Sequence, residues 1–374
     1  MLTVTGLTLR EIRLPLKEPF HTSTGTVADR RVLLVQLDEI DGAVGWGECV
    51  ALATPDYWPE TIDTAWLMIR DWIGPRVLGR TFEGPEYVSV VLAHGIRGHA
   101  MARAAVEMAM WDLAAGIKRM PLATLLGGTR DKAATGVVLG LQESAEALAD
   151  RARAAVDEGY RRVKLKIKPG VDIQSVRAVF AAVGSNVPLT VDANCAYTLD
   201  DASHLAKLDE FGLQYIEQPL AWDDLVRHAD LQQQIRTPIC LDESITGVDR
   251  VEDMIRLGSG RVINLKPGRI GGFLESLAIH ALCVEKDVPL WCGGMLETGI
   301  GRAHNIALAS LSGFTLAGDL SPSARYWAED IVEPEWTMDT DGYVAVPLDE
   351  SGMGVSVRMD RVEALTVRHE IFSA

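Results

Sequence analysis

The sequence predicts an α/β protein: a TIM-type barrel of seven β/α units plus a closing eighth strand, preceded by an α+β capping domain. Three observations carry that prediction. Short apolar runs recur at roughly 25-residue steps, the length of a strand, a crossover helix and two loops. Five successive runs end at or near a charged residue, Lys166, Asp192, Glu217, Asp242 and Lys266. Ahead of the runs, strand-like alternation gives way to helical periodicity.

The alternation is clearest in residues 4–16 and 32–50, where Asp41-Gly42 supplies a hairpin turn. Between them Phe20-His-Thr-Ser-Thr-Gly25 is a polar loop. It reads either as a fixed surface turn or as a cover that keeps water from a site below. From about residue 60 to 118, apolar side chains follow three- and four-residue steps, most clearly over 101–115. Strands followed by helices make an α+β unit, assigned to residues 1–128.

Residues 129–325 are assigned to the barrel, with runs beginning at Gly136, Val163, Leu189, Gln214, Ile239, Val262, Pro289 and Phe314. An open doubly wound sheet uses the same units. It would string the five charged strand ends across a wide span, whereas a closed barrel aims them at one axis, on the rim where such folds build their sites. Residues 326–374 are turn-rich, end in short strand-like pieces and are expected to return to the capping domain.

Composition narrows the function. A net charge of -16 and the lack of a basic cluster argue against nucleic acid as a partner. Five scattered cysteines make neither a disulfide framework nor a zinc knuckle. No apolar stretch is long enough to span a bilayer, the first residues alternate like a strand rather than an export signal, and a cytoplasmic protein with no membrane partner is expected.

Asp192, Glu217 and Asp242 are separated by 25 and 25 residues, which places three carboxylates at equivalent heights on adjacent strands. Singly, Asp192 or Asp242 could cap the helix that follows, whereas Glu217, at the end of an apolar strand before Gln218-Pro219, has no evident partner. Together, three hard oxygen donors without a converging His or Cys favour Mg²⁺, with Mn²⁺ able to substitute. Asn194 and Glu243 are candidates to hold a ligand or a lysine by a hydrogen bond, although Asn194 could also cap its own turn.

Lys164 and Lys166 share one strand face, with Leu165 on the other. Lys266 stands almost opposite them in an eight-strand ring. A carboxylate substrate on a metal gains a place for a second negative charge when its α carbon loses a proton to a lysine. Burial together with a cationic neighbour, Lys164, lowers the pKa of such a base.

On these residues the sequence resembles the enolase superfamily, and within it the o-succinylbenzoate synthase and N-acylamino acid racemase group of the muconate lactonising enzyme subgroup. The resemblance covers nearly the whole chain. It rests on Lys164-Leu-Lys166, Val191-Asp192-Ala-Asn194, Ile216-Glu217-Gln-Pro219, Leu241-Asp242-Glu243-Ser244, Asn264-Leu-Lys266-Pro-Gly268 and the run from Trp291 to Arg302. It implies Asp192, Glu217 and Asp242 as metal ligands, Lys166 and Lys266 as acid/base residues on opposite substrate faces, a small-molecule carboxylate substrate and a homo-oligomer. Racemisation of N-succinylamino or other N-acylamino acids, and dehydration of a menaquinone precursor to o-succinylbenzoate, are the implied reactions. Dipeptide epimerases, muconate-type cycloisomerases and acid-sugar dehydratases share the frame, and a metal-binding scaffold without activity is the reading from another class.

Substrate contacts implied by the same resemblance are Phe20, His21, Tyr57 and Trp58 in the capping domain and Gly294, Met295, Leu296, Glu297 and Tyr326 from the barrel side. Two departures stand out. Arg97 and Arg103 occupy positions where lysine is commoner, and Val138 stands where some racemases of the group have serine, which alters how an N-acyl amide is held. The glycines at 42, 45 and 47 do not have dinucleotide-loop spacing, and no histidine forms HExxH.

Overall fold

The computed structural model describes residues 1–21 and 25–374, so the middle of the expected cover, residues 22–24, lies outside the described residues. Strands β1 (Leu2–His21), β2 (Thr26–Glu39) and β3 (Val44–Cys49) form an antiparallel meander. The arms of the first hairpin run further than the alternation indicates, because Phe20 and His21 still pair with Val27 and Thr26. Asp41-Gly42 makes the second turn, with Gly42 at a φ of 87° that a side chain would disfavour.

One face of this sheet is covered by α1 (Ile62–Met68) and by α3 (Ala100–Lys118), with β4 (Thr81–Phe82) and α2 (Glu86–Ala93) between them in sequence. Helix α3 lies between the sheet and the barrel, so it is buried well beyond one stripe. Gly45 and Gly47 explain the close approach: a Cβ there would come within 2.3 Å and 2.0 Å of the Ala109 and Ala105 carbonyl oxygens. Helix α4 (Leu122–Leu125) then leads towards β5 (Lys132–Ala134).

The barrel strands are β6 (Val137–Leu139), β7 (Val163–Lys166), β8 (Leu189–Asp192), β9 (Ile216–Glu217), β10 (Ile239–Leu241), β11 (Val262–Leu265) and β12 (Leu290–Cys292), all parallel and in sequence order. Helices α5 (Ala145–Asp157), α6 (Ile173–Val183), α7 (Ala202–Leu205), α8 (Leu225–Gln232), α9 (Val248–Leu257), α10 (Pro267–Ile270), α11 (Phe273–Lys286) and α12 (Gly299–Ala309) fill the connections. The eighth run closes the ring. Phe314 bridges Leu290 on one side, Gly318 bridges Thr135 on the other, and Asp319 N–H donates to the Cys292 carbonyl at 2.9 Å.

The tail contributes β13 (Val332–Glu333), β14 (Tyr343–Ala345), β15 (Ser356–Val357), α13 (Met359–Leu365) and β16 (Thr366–Ser373). Only its last strand returns to the capping sheet, antiparallel to β1, while β14 pairs with β5 beside the barrel. Among the described residues no helix is long and apolar enough to cross a membrane.

Candidate active site

Parallel pairing sets Lys166 beside Asp192 and Asp192 beside Glu217, so these two acids are in register. Glu217 pairs with Cys240, which places Asp242 two residues further up its strand. Asp242 is thus offset from register with Glu217 by two residues. Barrel strands are tilted and staggered, so register partners do not share one height, and an offset along the strand accompanies the tilt.

All five charged strand ends are buried, as is Lys164. Lys164 Nζ lies 3.0 Å from Glu217 Oε2 and 3.3 Å from Asp192 Oδ2. Lys166 donates to Asp192 Oδ2 at 2.8 Å and to Asn194 Oδ1 at 2.6 Å. Asn194 therefore holds the lysine, and its own amide reaches Glu243 Oε1 at 3.3 Å. Lys266 donates to Asp242 Oδ2 at 2.8 Å and to the Tyr57 hydroxyl at 3.1 Å. Gly293 makes room for it, since a Cβ there would lie 2.7 Å from the Lys266 Cε.

Electrostatics within this cluster are dominated by its carboxylates. Burial pushes Asp192 up, but Lys166 and Lys164 outweigh it and hold the carboxyl below its ordinary range. Burial and Asp192 raise Glu217. For Lys164, burial favours loss of the proton, yet Asp319, Glu217 and Asp192 hold it above the ordinary amine range. Lys266 is likewise raised, burial being outweighed by Tyr57, Glu217 and Glu243. For Lys164 and Lys266 the acids around them thus outweigh burial.

Among the described residues, no three His, Cys, Asp or Glu side chains are already gathered around a common metal position. The donors nonetheless suit one. Oxygens of Asp192 and Glu217 converge on a single cation, the Lys164 ammonium group, and an all-oxygen set matches a hard divalent ion. Asp242 is the most engaged of the three, with Arg269 on one oxygen and Lys266 on the other.

Lys166 and Lys266 both line a cavity of about 550 Å³ with Phe20, Tyr57, Asn194, Glu243, Met295 and Leu296. Gly294 lines it too, and a smaller adjoining pocket adds Val138 and Tyr326. Three further expected contacts line neither pocket, although Trp58 packs on Trp222, which does line the larger one. His21 is exposed and bonded to Thr26 through Nδ1, Trp58 packs edge-on against Trp222 at 5.4 Å, and Glu297 accepts from Asn305 of α12 at 2.8 Å.

The sequence reading missed Arg269, Asn264, Trp222 and Asp319. Arg269 donates to both Asp242 and the Tyr57 hydroxyl, and Asn264 donates to Glu217 Oε1 at 2.9 Å. Asn264 had a signal, since it shares the inward face of its strand with Lys266.

Residues 4–127 match the mandelate racemase / muconate lactonizing enzyme N-terminal domain, and residues 147–361 the enolase C-terminal domain-like family. The chain is 44% identical over 373 residues to o-succinylbenzoate synthase of Bacillus subtilis, covering 100% of this chain and 99% of the relative. It is 47% identical over 366 residues to N-succinylamino acid racemase of Thermus thermophilus, covering 98% of each. A solved structure of an enolase superfamily member from Listeria innocua superposes with a TM-score of 0.96 at 40% identity, over 100% of both chains. A likeness that runs through both domains has one consequence: the chain belongs to the mandelate racemase and muconate lactonising enzyme family of the enolase superfamily, whose enzymes use a divalent metal.

Proposed function

We propose that this chain racemises N-succinylamino and related N-acylamino acids and also dehydrates the menaquinone precursor to o-succinylbenzoate. The observation that carries the reading is the pair of buried amines, Lys166 and Lys266, on strands four apart and lining one cavity, with Asp192, Glu217 and Asp242 on the strands between. Mg²⁺ held by those three carboxylates, or Mn²⁺ in its place, would supply counter-charge to the substrate carboxylate as its α proton leaves.

The residues of the chain divide the remaining work. For one enantiomer Lys166 removes the α proton and Lys266 delivers another to the opposite face; for the other enantiomer the roles exchange. In the dehydration Lys166 removes the proton and assists departure of hydroxide, and Lys266 balances the anion. Phe20, Met295 and Leu296 give the cavity an apolar wall, which suits the uncharged part of an N-acyl amino acid or a cyclic precursor.

The test is incubation of the purified chain with Mg²⁺ and each substrate in D₂O, following α-deuteration, optical rotation and the absorbance of the aromatic product. Both activities are expected, and both should vanish with EDTA and in Glu217→Gln. Dehydration without racemisation, or the reverse, rejects the bifunctional reading. Exchange confined to a dipeptide or an acid sugar rejects the substrate class while leaving the lysine chemistry in place.

A further inference from the structure

Asp319 follows the closing strand and has no role in the reading above, yet its buried carboxylate is paired with two buried cations. Its Oδ2 lies 2.9 Å from Lys164 Nζ, its Oδ1 accepts from Arg162, and its backbone carbonyl accepts from Arg302. Arg162 is fully buried, donates to the Tyr215 hydroxyl at 2.8 Å and lies over the Trp291 ring at 4.7 Å. The Lys164 ammonium lies over the same ring at 4.8 Å, and Tyr215 stacks on that indole at 5.8 Å. The barrel floor is thus a fixed frame that ends in one carboxylate aimed at Lys164.

Lys164 has three acids to choose from: Asp319 at 2.9 Å, Glu217 at 3.0 Å and Asp192 at 3.3 Å. A buried ammonium group requires a paired counter-charge. Two of the three are the carboxylates assigned above to the metal. We propose that Asp319 is a positioning residue that draws Lys164 to the barrel floor, leaving oxygens of Asp192 and Glu217 for a divalent cation and keeping Lys164 aimed at the bound carboxylate. Arg162 acts one step further back, by fixing Asp319. This inference rests on the proposed metal site and adds a division of labour among the buried acids: one serves the lysine, the others serve the metal.

A double-mutant cycle read by Mn²⁺ affinity, from electron paramagnetic resonance titration, tests it without reference to turnover. Asp319→Asn should weaken Mn²⁺ binding by about tenfold or more, the scale of losses when a group orienting a metal ligand is removed. In Lys164→Met the competing ammonium is gone, so adding Asp319→Asn should change the affinity by less than about twofold. Asp319→Glu should recover part of the loss. Arg162→Met should give the same background-dependent pattern at smaller size, which covers the case of an Asp319→Asn chain that does not fold. Equal weakening in both backgrounds would mean a purely structural role and overturn the inference, as would unchanged affinity in Asp319→Asn. A wild-type chain that binds no Mn²⁺, or binds it equally in Glu217→Gln, overturns the metal site itself and this inference with it.

Discussion

Lys166 and Lys266 face the same cavity but are held by different parts of the chain. Both side-chain partners of Lys166, Asp192 and Asn194, come from the end of β8, so its wall is built within the barrel. Lys266 shares Asp242 with Arg269 and reaches Tyr57 of the capping domain. The elements behind it are also tied across that boundary. Glu48 of β3 accepts from the Thr298 hydroxyl at 2.7 Å and from Gly301 N–H at 3.0 Å, at the start of α12. Glu107 of α3 accepts from Phe273 and Leu274 N–H at 2.8 Å and 3.0 Å, at the start of α11. One amine is thus held from within the barrel, and the other is held partly by the capping domain.

The sharpest way to break this comparison is to remove each amine. Lys166→Met and Lys266→Met should each abolish racemisation, since a racemase needs a proton relay on both faces. Their α-deuterium exchange should fail for opposite enantiomers, each by about 10³-fold, within the usual range for a positioned base. Exchange measured separately on the two enantiomers by NMR decides it. Loss of the same enantiomer in both variants would show that the amines do not serve opposite faces.

A second prediction concerns the boundary behind Lys266. Burial, with Glu297 adding to it, pushes the Glu48 carboxyl up to about 7 from an ordinary 4.5, against hydrogen bonds from Thr298 and Gly301 that favour the charged form. Between those values the folded chain holds a proton that the unfolded chain has released. Stability therefore falls as pH rises through that window; the contribution is complete below pH 4.5 and gone above about 7. The effect is on the order of 3 kcal/mol at most, from 1.36 kcal/mol per pH unit. Glu48→Gln carries no titrating proton, so the stability difference, wild type minus variant, should decline across the window in urea unfolding with chelator present. A difference independent of pH would remove Glu48 as a titrating link between the domains.

How much of this was legible in the sequence follows from what sets side-chain direction. Barrel strands and their charged ends were readable because the pattern recurs: one acid at a strand end could cap a helix, but five successive apolar runs ending at or near Lys, Asp or Glu point to a common site. Lys164 and Lys166 fell on one face because the strand period is two. The two-residue register offset of Asp242 was not readable, because stagger belongs to the closed barrel rather than to any one strand. Arg269 sits on α10 and Asp319 just beyond a strand held only by isolated bridges, so neither carried a periodic signal. His21, Trp58 and Glu297 were named through the family resemblance, and each has a local partner, Thr26, Trp222 and Asn305, that no spacing rule anticipates.

The smallest expected effect is the most discriminating. Tyr57→Phe keeps the ring that lies 4.7 Å from the Lys266 ammonium and removes only the hydroxyl, which accepts from Lys266 at 3.1 Å and from Arg269 at 3.0 Å. Asn194→Ala removes the matching acceptor of Lys166 at 2.6 Å. A hydrogen bond to a charged group contributes roughly 1.5 to 3 kcal/mol, and much of that is recovered by other partners, so about a tenfold loss is expected from either change. The comparison predicts which enantiomer suffers. Tyr57→Phe should slow exchange of the enantiomer served by Lys266 and leave the other within about twofold, whereas Asn194→Ala should do the reverse. If Tyr57→Phe slowed both enantiomers equally, Tyr57 would act on the cavity as a whole and the capping domain would have no selective hold on the Lys266 face.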